Sequence, residues 1–400
     1  MENASFLAND QRGGCCVPAG EGTMRNLVFA NVTSAARVIA LAAALVVTAM
    51  LVDRASAAPL PPQEAAIASA PRPYTDQEVT FRNDRGPVNL AGTLSLPNGK
   101  GPFPAVLLIA ASGPEGRDEE AGGHRVFVVL ADHLLHEGIA VLRYDKRGVG
   151  SSSGTFATAS FEDLVSDAAV AFRYLKGRPE VDRHRVGIIG HSEGGSIAPA
   201  VAAGDQEVAF VVAMAGSGLR GEFRITEMQA YMAKESGASS GQQAMIRALC
   251  QKIFRTVKAT PDDAVANERI SALIDEANAA KVLTEEQAKG TRQLMTVKFV
   301  RQELNDDPIK YLKSVHVPVL ALVGSLDRIV PPEPYVAAMR PVLNTIPGSK
   351  VQILPGLNHL MQTARTGSPR EFSVIKESIS PLALQVIGDW VGAQVKPAPH

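Results

Sequence analysis

Hydrophobic and polar positions along the chain fall into two alternating textures. One is a series of short, mostly apolar runs: residues 105–110 (AVLLIA), 139–143 (IAVLR), 186–190 (VGIIG), 210–215 (FVVAMA), 317–324 (VPVLALVG) and 351–354 (VQIL). Runs of this length without polar alternation predict strands buried on both faces of a sheet. The other texture places apolar residues three and four apart and predicts helices at 126–136, 161–176, 194–203 and 381–395, the last carrying Trp390. Ahead of both, residues 79–81 and 90–96 (LAGTLSL) alternate, as an antiparallel hairpin at a sheet edge does. Strand and helix in alternation predict an α/β protein: a mostly parallel central sheet with helices on both faces.

One stretch breaks the alternation. Residues 219–314 contain no good strand and carry helical patterns at 243–257 and 288–304. That length is too great for a simple strand-to-helix connection, and long insertions of this kind are usually lids or binding elements. The expected organisation is a core in two parts, 78–218 and 315–400, with a helical cap insertion at 219–314 between them. There are no internal repeats.

The N-terminal segment reads as an address. Residues 38–52 (VIALAAALVVTAMLV) form an uncharged apolar run, preceded by Arg25 and Arg37 and followed by Ala55-Ser56-Ala57. A positive region, an apolar region and a small-x-small site together predict a signal peptide ending near Ala57, and export. The run falls short of the roughly 20 residues that span a bilayer, so stable membrane insertion is not expected after cleavage; an uncleaved anchor is the alternative. Met24 opens a more typical signal peptide than Met1, which makes 1–57 an upstream segment plus signal peptide. Residues 58–77, rich in Pro and Ala at their start, are expected to form a flexible leader.

Composition narrows the function classes. The chain has 400 residues, 46% hydrophobic and 20% charged, with 40 Lys+Arg against 41 Asp+Glu and a formal net charge of -1. Disorder, collagen and coiled coil are excluded, and no nucleic-acid partner is expected without a basic surplus. The three cysteines, Cys15, Cys16 and Cys250, build neither a disulfide framework nor a zinc site. No metal and no cofactor are expected.

The chemistry gathers at predicted strand ends. Gly190-His191-Ser192-Glu193-Gly194 matches G-x-S-x-G, with a strand before it and a small-residue helix after it. A serine on so sharp a turn needs flanking glycines, and the following helix aims its amides and positive end at the same point. Serine is a weak nucleophile without a base oriented by a carboxylate. Of the eight histidines, His359 lies just past the last predicted core strand, in LPGLNH, while the side chain of His191 should point away from the site. Asp327 follows the strand VPVLALVG in GSLDRIVP. The order Ser192, Asp327, His359 is the chain order of one fold's triad.

With these residues in place, the chain resembles the α/β-hydrolase superfamily over about 78–395. It is most similar to bacterial esterases and serine-aminopeptidase or prolyl-oligopeptidase-like hydrolases. Ser112-Gly113-Pro114 with Arg117-Asp118-Glu119, the segment Tyr144 to Ser152 (YDKRGVGSS), and Gly356-Leu357-Asn358-His359 resemble that group's loops. The resemblance implies Ser192 as nucleophile, His359 as general base and Asp327 as its orienter. It also implies an oxyanion hole from the amide of Glu193 and one from the loop after strand 105–110, Ser112 with Gly113 as the alternative. Ala110-Ala111 stands where many members carry His-Gly. Asp145 and Arg147 are implied as structural ties between loops, and Arg117, Asp118 and Glu119 fit either a solvated loop or a specificity element.

The expected activity is hydrolysis of a small-molecule carboxylic ester through an acyl-enzyme. The alternative is cleavage of short peptides on the same triad, which would need an acidic anchor for a free amine, with Glu222, Glu227 and Glu235 as candidates. An apolar acyl pocket could draw on Met228, Met232, Met245 and Leu249, although such side chains are more often helix packing. The remaining alternative, a binding protein on a hydrolase scaffold, is disfavoured by the intact triad.

Overall fold

The computed structural model of the chain describes residues 60–216, 218–305 and 307–396. The signal-peptide pattern, Met24, Cys15 and Cys16 lie outside the described residues. Among those described, no helix is long and apolar enough to cross a membrane.

Ten strands form in chain order: β1 (Tyr74–Asn83), β2 (Val88–Pro97), β3 (Phe103–Ile109), β4 (Glu120–Ala121), β5 (His124–Arg125), β6 (Ala140–Tyr144), β7 (Val181–His191), β8 (Val211–Met214), β9 (Val319–Gly324) and β10 (Lys350–Leu354). Eight of them make one sheet in the order β1-β2-β6-β3-β7-β8-β9-β10, and β4 with β5 makes a small separate ribbon. The pairs β1–β2 and β2–β6 are antiparallel. Every other pairing in the large sheet is parallel.

Period-two alternation explains the layers. From β3, Leu107 and Ile109 face a cluster built with helices Phe161–Lys176, Glu193–Gly204 and Pro332–Leu343, while Val106 and Leu108 face one built with helices Val126–His136 and Pro381–Val395. Both faces are covered, which is why these strands are apolar throughout. The helix after β3 packs on one face and the helix after β7 on the other, although β3 and β7 are neighbours. Their loops leave the sheet in opposite directions, and this switch point is where α/β sheets collect ligand chemistry.

Between β8 and β9 the described residues form helices and no strand: Gly221–Glu235, Ser240–Ala259, Asp263–Ala279, Glu285–Leu294, Val297–Asn305 and Ile309–Leu312. They bury a cluster of their own, including Ile253, Phe254, Ile270 and Val300. The single helical pattern read at 288–304 is two helices. Thr296 sits between them, and its hydroxyl accepts from Phe299 N at 3.3 Å, so it caps the second helix and ends the first.

The expected flexible leader is corrected by the structure. Pro62–Ser69 is a helix and β1 begins at Tyr74. Its hydrophobic pattern is weak, and polar side chains dock it instead. Gln63 Nε2 donates to Ile379 O at 2.9 Å. The carboxylate of Glu64, 1% exposed, accepts from Arg125 N at 2.9 Å and from Ser378 Oγ at 2.6 Å. Proline at its N-terminal turn, followed by Gln-Glu-Ala-Ala, was the available sign of a helix start. Glu64→Ala would remove the acceptor of the Arg125 amide, while Ser378 Oγ keeps its contact to His124 Nδ1 at 2.8 Å, and the expected loss is about 1–3 kcal/mol for the group left unsatisfied. Equilibrium urea unfolding measures it; an unchanged midpoint would show that this helix contributes nothing.

Candidate active site

Ser192 follows directly on β7 and precedes helix Glu193–Gly204. Its backbone has φ 52° and ψ -114°, a left-handed conformation that non-glycine residues adopt only where the surroundings impose it. Close backbone contact imposes it here. A Cβ on Gly190 would lie 2.0 Å from Gly194 O, and one on Gly194 would lie 2.0 Å from Ile109 O. Strand, turn, helix and β3 therefore touch through backbone alone. Ser192 N donates to Met214 O at 2.8 Å, which ties the turn to β8.

The structure brings Ser192, Asp327 and His359 together. His359 Nε2 lies 3.1 Å from Ser192 Oγ, and His359 Nδ1 lies 2.8 Å from Asp327 Oδ2. Asp327 and His359 are 1% and 2% exposed. Asp327 Oδ1 accepts from the amides of Ile329 and Val330, each at 2.8 Å, so the carboxylate is held in one orientation. The two loops are stitched to each other: Ser325 N donates to Leu354 O at 2.8 Å and Leu326 N to Leu357 O at 2.9 Å. Gln362 closes the histidine loop, since Asn358 Nδ2 donates to its Oε1 at 2.9 Å and its own amide donates to Asn358 Oδ1 at 3.0 Å.

The loop after β3 carries Ser112 and Gly113. Neither amide donates to another backbone group among the described residues. Glu193 is the first residue of the helix, so its amide belongs to the unpaired first turn. Its side chain pairs with Lys146, whose Nζ is 2.8 Å from Glu193 Oε2. The same ammonium donates to Ala111 O.

Arg117, Asp118 and Glu119 are all paired rather than freely solvated. Arg117 pairs with Asp145 and Glu78, Asp118 with Arg143, and Glu119 with His191. Burial would raise the pKa of Asp145, but hydrogen bonds from the Arg117 side chain and backbone outweigh it and hold that carboxyl low. Arg147 grips Asp167 through Nε at 2.7 Å and Nη2 at 2.9 Å, which anchors the turn to helix Phe161–Lys176.

Sequence reading missed the Glu119–His191 pair. Both side chains are 1% exposed. His191 Nε2 also sits 2.8 Å from His359 O, so it fixes the backbone of the very residue whose ring meets Ser192. Burial alone would push the imidazole of His191 down; the charge and hydrogen bond of Glu119 outweigh it, and its pKa is raised. Breaking such a buried pair costs about 3–5 kcal/mol, and this is the expected loss for Glu119→Ala. Glu119→Gln preserves a hydrogen bond to a neutral imidazole and should cost less. Denaturation of the two variants side by side checks the difference; equal losses would mean that the lost charge, not the hydrogen bond or a cavity, dominates.

Glu115, in the same loop, is pushed up to about 7, chiefly by burial and then by the charge of Glu119. The unfolded chain releases this proton near 4.5, while the folded chain holds it until about 7. Across that window the folded state binds more protons, so stability falls as pH rises. Glu115→Gln should flatten the decline in Tm between pH 5 and pH 8; an unaltered decline would assign it to other groups.

Among the described residues, no group of three or more His, Cys, Asp and Glu side chains is placed to hold a metal ion. Cys250 is buried in the helical insertion, and burial pushes its thiol up to about 12. It is not a poised nucleophile.

A doubly wound, mostly parallel sheet with a serine on a strained strand-to-helix turn, and with His and Asp loops at neighbouring strand ends, defines an α/β-hydrolase. The profile of the serine aminopeptidase S33 family matches residues 121–363, and the chain belongs to that family of hydrolases. Esterase EstD of Thermotoga maritima is 26% identical over 318 residues, covering 80% of this chain and 69% of that protein. An uncharacterized protein of Pseudomonas aeruginosa is 30% identical over 139 residues, 34% of this chain and 35% of that one. A solved esterase structure from Pyrococcus furiosus superposes with a TM-score of 0.51 at 16% identity, covering 87% of this chain and 97% of its own, and supports the fold.

Proposed function

We propose that the chain is an exported serine hydrolase that cleaves carboxylic esters through an acyl-enzyme on Ser192. The observation that carries this reading is the unbroken line from Ser192 Oγ through His359 to Asp327, with links of 3.1 Å and 2.8 Å. His359 Nε2 accepts the hydroxyl proton as Oγ attacks the carbonyl carbon. Asp327 holds the tautomer with the proton on Nδ1 and stabilises the imidazolium that forms. The amides of Glu193 and Ser112, with Gly113 as the alternative donor, receive the developing oxyanion. The imidazolium then protonates the departing alcohol, and water repeats the sequence to release the acid.

Ester rather than peptide substrates are favoured on two grounds. The Thermotoga maritima relative is named an esterase. Two acidic residues considered as anchors for a substrate amine are engaged within the helical insertion: Glu227 accepts from Arg247 Nε at 2.9 Å and Glu222 lies 3.6 Å from Arg220. The side chain of Glu235 lies outside the described residues. Of the apolar residues considered for an acyl pocket, Leu249 is buried in the insertion's own cluster with Met228 packed on it, while Met232 and Met245 are exposed. The insertion would act as a cap; this reading is supported by its root beside the proposed nucleophile, where Gly216 meets Gly195. Export rests on the pattern at 38–57.

Ser192→Ala should lower kcat on p-nitrophenyl acetate by on the order of 10³ or more with Tm unchanged. A fluorophosphonate should label the native protein and not the variant. Full activity of the variant would overturn the nucleophile. Aminoacyl anilides cleaved faster than short-chain p-nitrophenyl esters would move the assignment to the peptidase reading.

A further inference from the structure

Lys146 sits behind the proposed oxyanion hole and touches both halves of it. Its side chain is 3% exposed, with Nζ 2.8 Å from Glu193 Oε2 and donating to Ala111 O. The face of Phe156 closes the remaining side, its centroid 5.4 Å from Nζ. The Ala111 carbonyl and the Ser112 N–H are the two ends of one peptide unit, and Glu193 carries the other proposed donor. We propose that Lys146 is a positioning residue for the oxyanion hole, bracing the Ala111–Ser112 peptide and Glu193 against each other. This rests on the reading of Ser192 as nucleophile.

The geometry supports the role in three ways. The Ala111–Ser112 peptide is trans, the one cis bond among the described residues being Gly101–Pro102, so its C=O and N–H point in opposite directions. A carbonyl held on a buried ammonium therefore sends the Ser112 N–H the other way, out of the hydrogen bond's side of the peptide. That amide makes no backbone bond of its own among the described residues, so the Lys146 contact to the Ala111 carbonyl is a hydrogen bond that fixes this peptide unit. Third, a cation on the carbonyl oxygen polarises the whole amide and makes its N–H a stronger donor. The Glu193 carboxylate cancels most of the long-range field of the ammonium, so orientation and local polarisation are what the contact supplies. A buried ion pair is in any case weak evidence for stability, since apolar replacements are often neutral. Its place here is better explained by what it holds.

Lys146→Met tests this. Removing one oxyanion donor costs about 10²–10³ in kcat, and loosening one rather than removing it should cost about 10- to 100-fold. KM for p-nitrophenyl acetate should change less than about threefold, since the interaction is made in the transition state. An aryl trifluoromethyl ketone, which forms a tetrahedral adduct with an oxyanion, should lose affinity by the same factor as kcat/KM. Glu193→Gln should show a smaller loss of the same kind, because a neutral amide still accepts from the ammonium. A kcat within about twofold of the native value, or a loss carried by KM with ketone affinity intact, would overturn the proposal. Should Lys146→Met fail to fold, Glu193→Gln is read by the same two measurements, and native values in both would overturn it. Fluorophosphonate labelling of the native protein keeps the two readings apart. No labelling overturns the nucleophile and this role with it; labelling alongside an unimpaired Lys146→Met overturns this role alone.

Discussion

Everything at this site depends on backbone packed against backbone around Ser192. Gly190, Gly194 and Gly195 carry no side chains because the space their Cβ atoms would fill is occupied by Gly194, Ile109 and Gly216 respectively. That contact forces Ser192 to φ 52°, a conformation that costs on the order of 1–3 kcal/mol and persists only when its surroundings over-determine it. The turn puts Oγ within 3.1 Å of His359 Nε2, directly ahead of the first residue of the following helix. It also brings the end of β3, at Ile109, against Gly194. One steric constraint thus sets the position of the hydroxyl, of the helix terminus and of the opposing loop.

Around this rigid centre the charged residues act as fasteners. Arg117, Asp118 and Glu119, three neighbours in one loop, reach three different parts of the fold: the turn after β6, β6 itself and the residue before the serine. Asp145 receives a side-chain clamp and two backbone amides, and Arg147 ties the same turn to a helix. Each pair has both partners wholly or largely shielded, where a charge left alone would be costly. They confer little net stability by themselves. What they confer is a single arrangement of the loops after β3, β6 and β7, the three that surround the serine.

Sequence reading reached the sheet and the convergence of Ser192, Asp327 and His359 for the same reason. Continuous apolar runs are a local signal, and a triad whose members follow strand ends inherits its positions from those runs. Ser192, Asp327 and His359 were legible because their loops are short and the order is diagnostic. The pairs Glu119–His191 and Lys146–Glu193 were not, because they join residues 72 and 47 positions apart and leave no periodic trace. Nothing in Arg117-Asp118-Glu119 itself distinguishes three paired fasteners from a solvated loop. The helix Pro62–Ser69 was missed for a related reason: buried polar contacts to Ser378, Ile379 and Arg125 decide it, and its apolar pattern does not. In the helical insertion the pattern at 288–304 overran Thr296 because apolar spacing continues across the cap that interrupts the helix.

The insertion and the core differ in how they are bound to the chemistry. The core's two clusters run through the strands that carry Ser192 and Asp327, so a change of volume there shifts catalytic backbone directly. The insertion's cluster shares none of its buried members with either of them. Its charged residues pair mainly among themselves, as Glu227 does with Arg247 and Arg224 with Glu303. Repacking within it can therefore proceed without moving the serine. That separation means that Ser192, Asp327 and His359 answer to the sheet, while the helices between β8 and β9 answer to a core of their own.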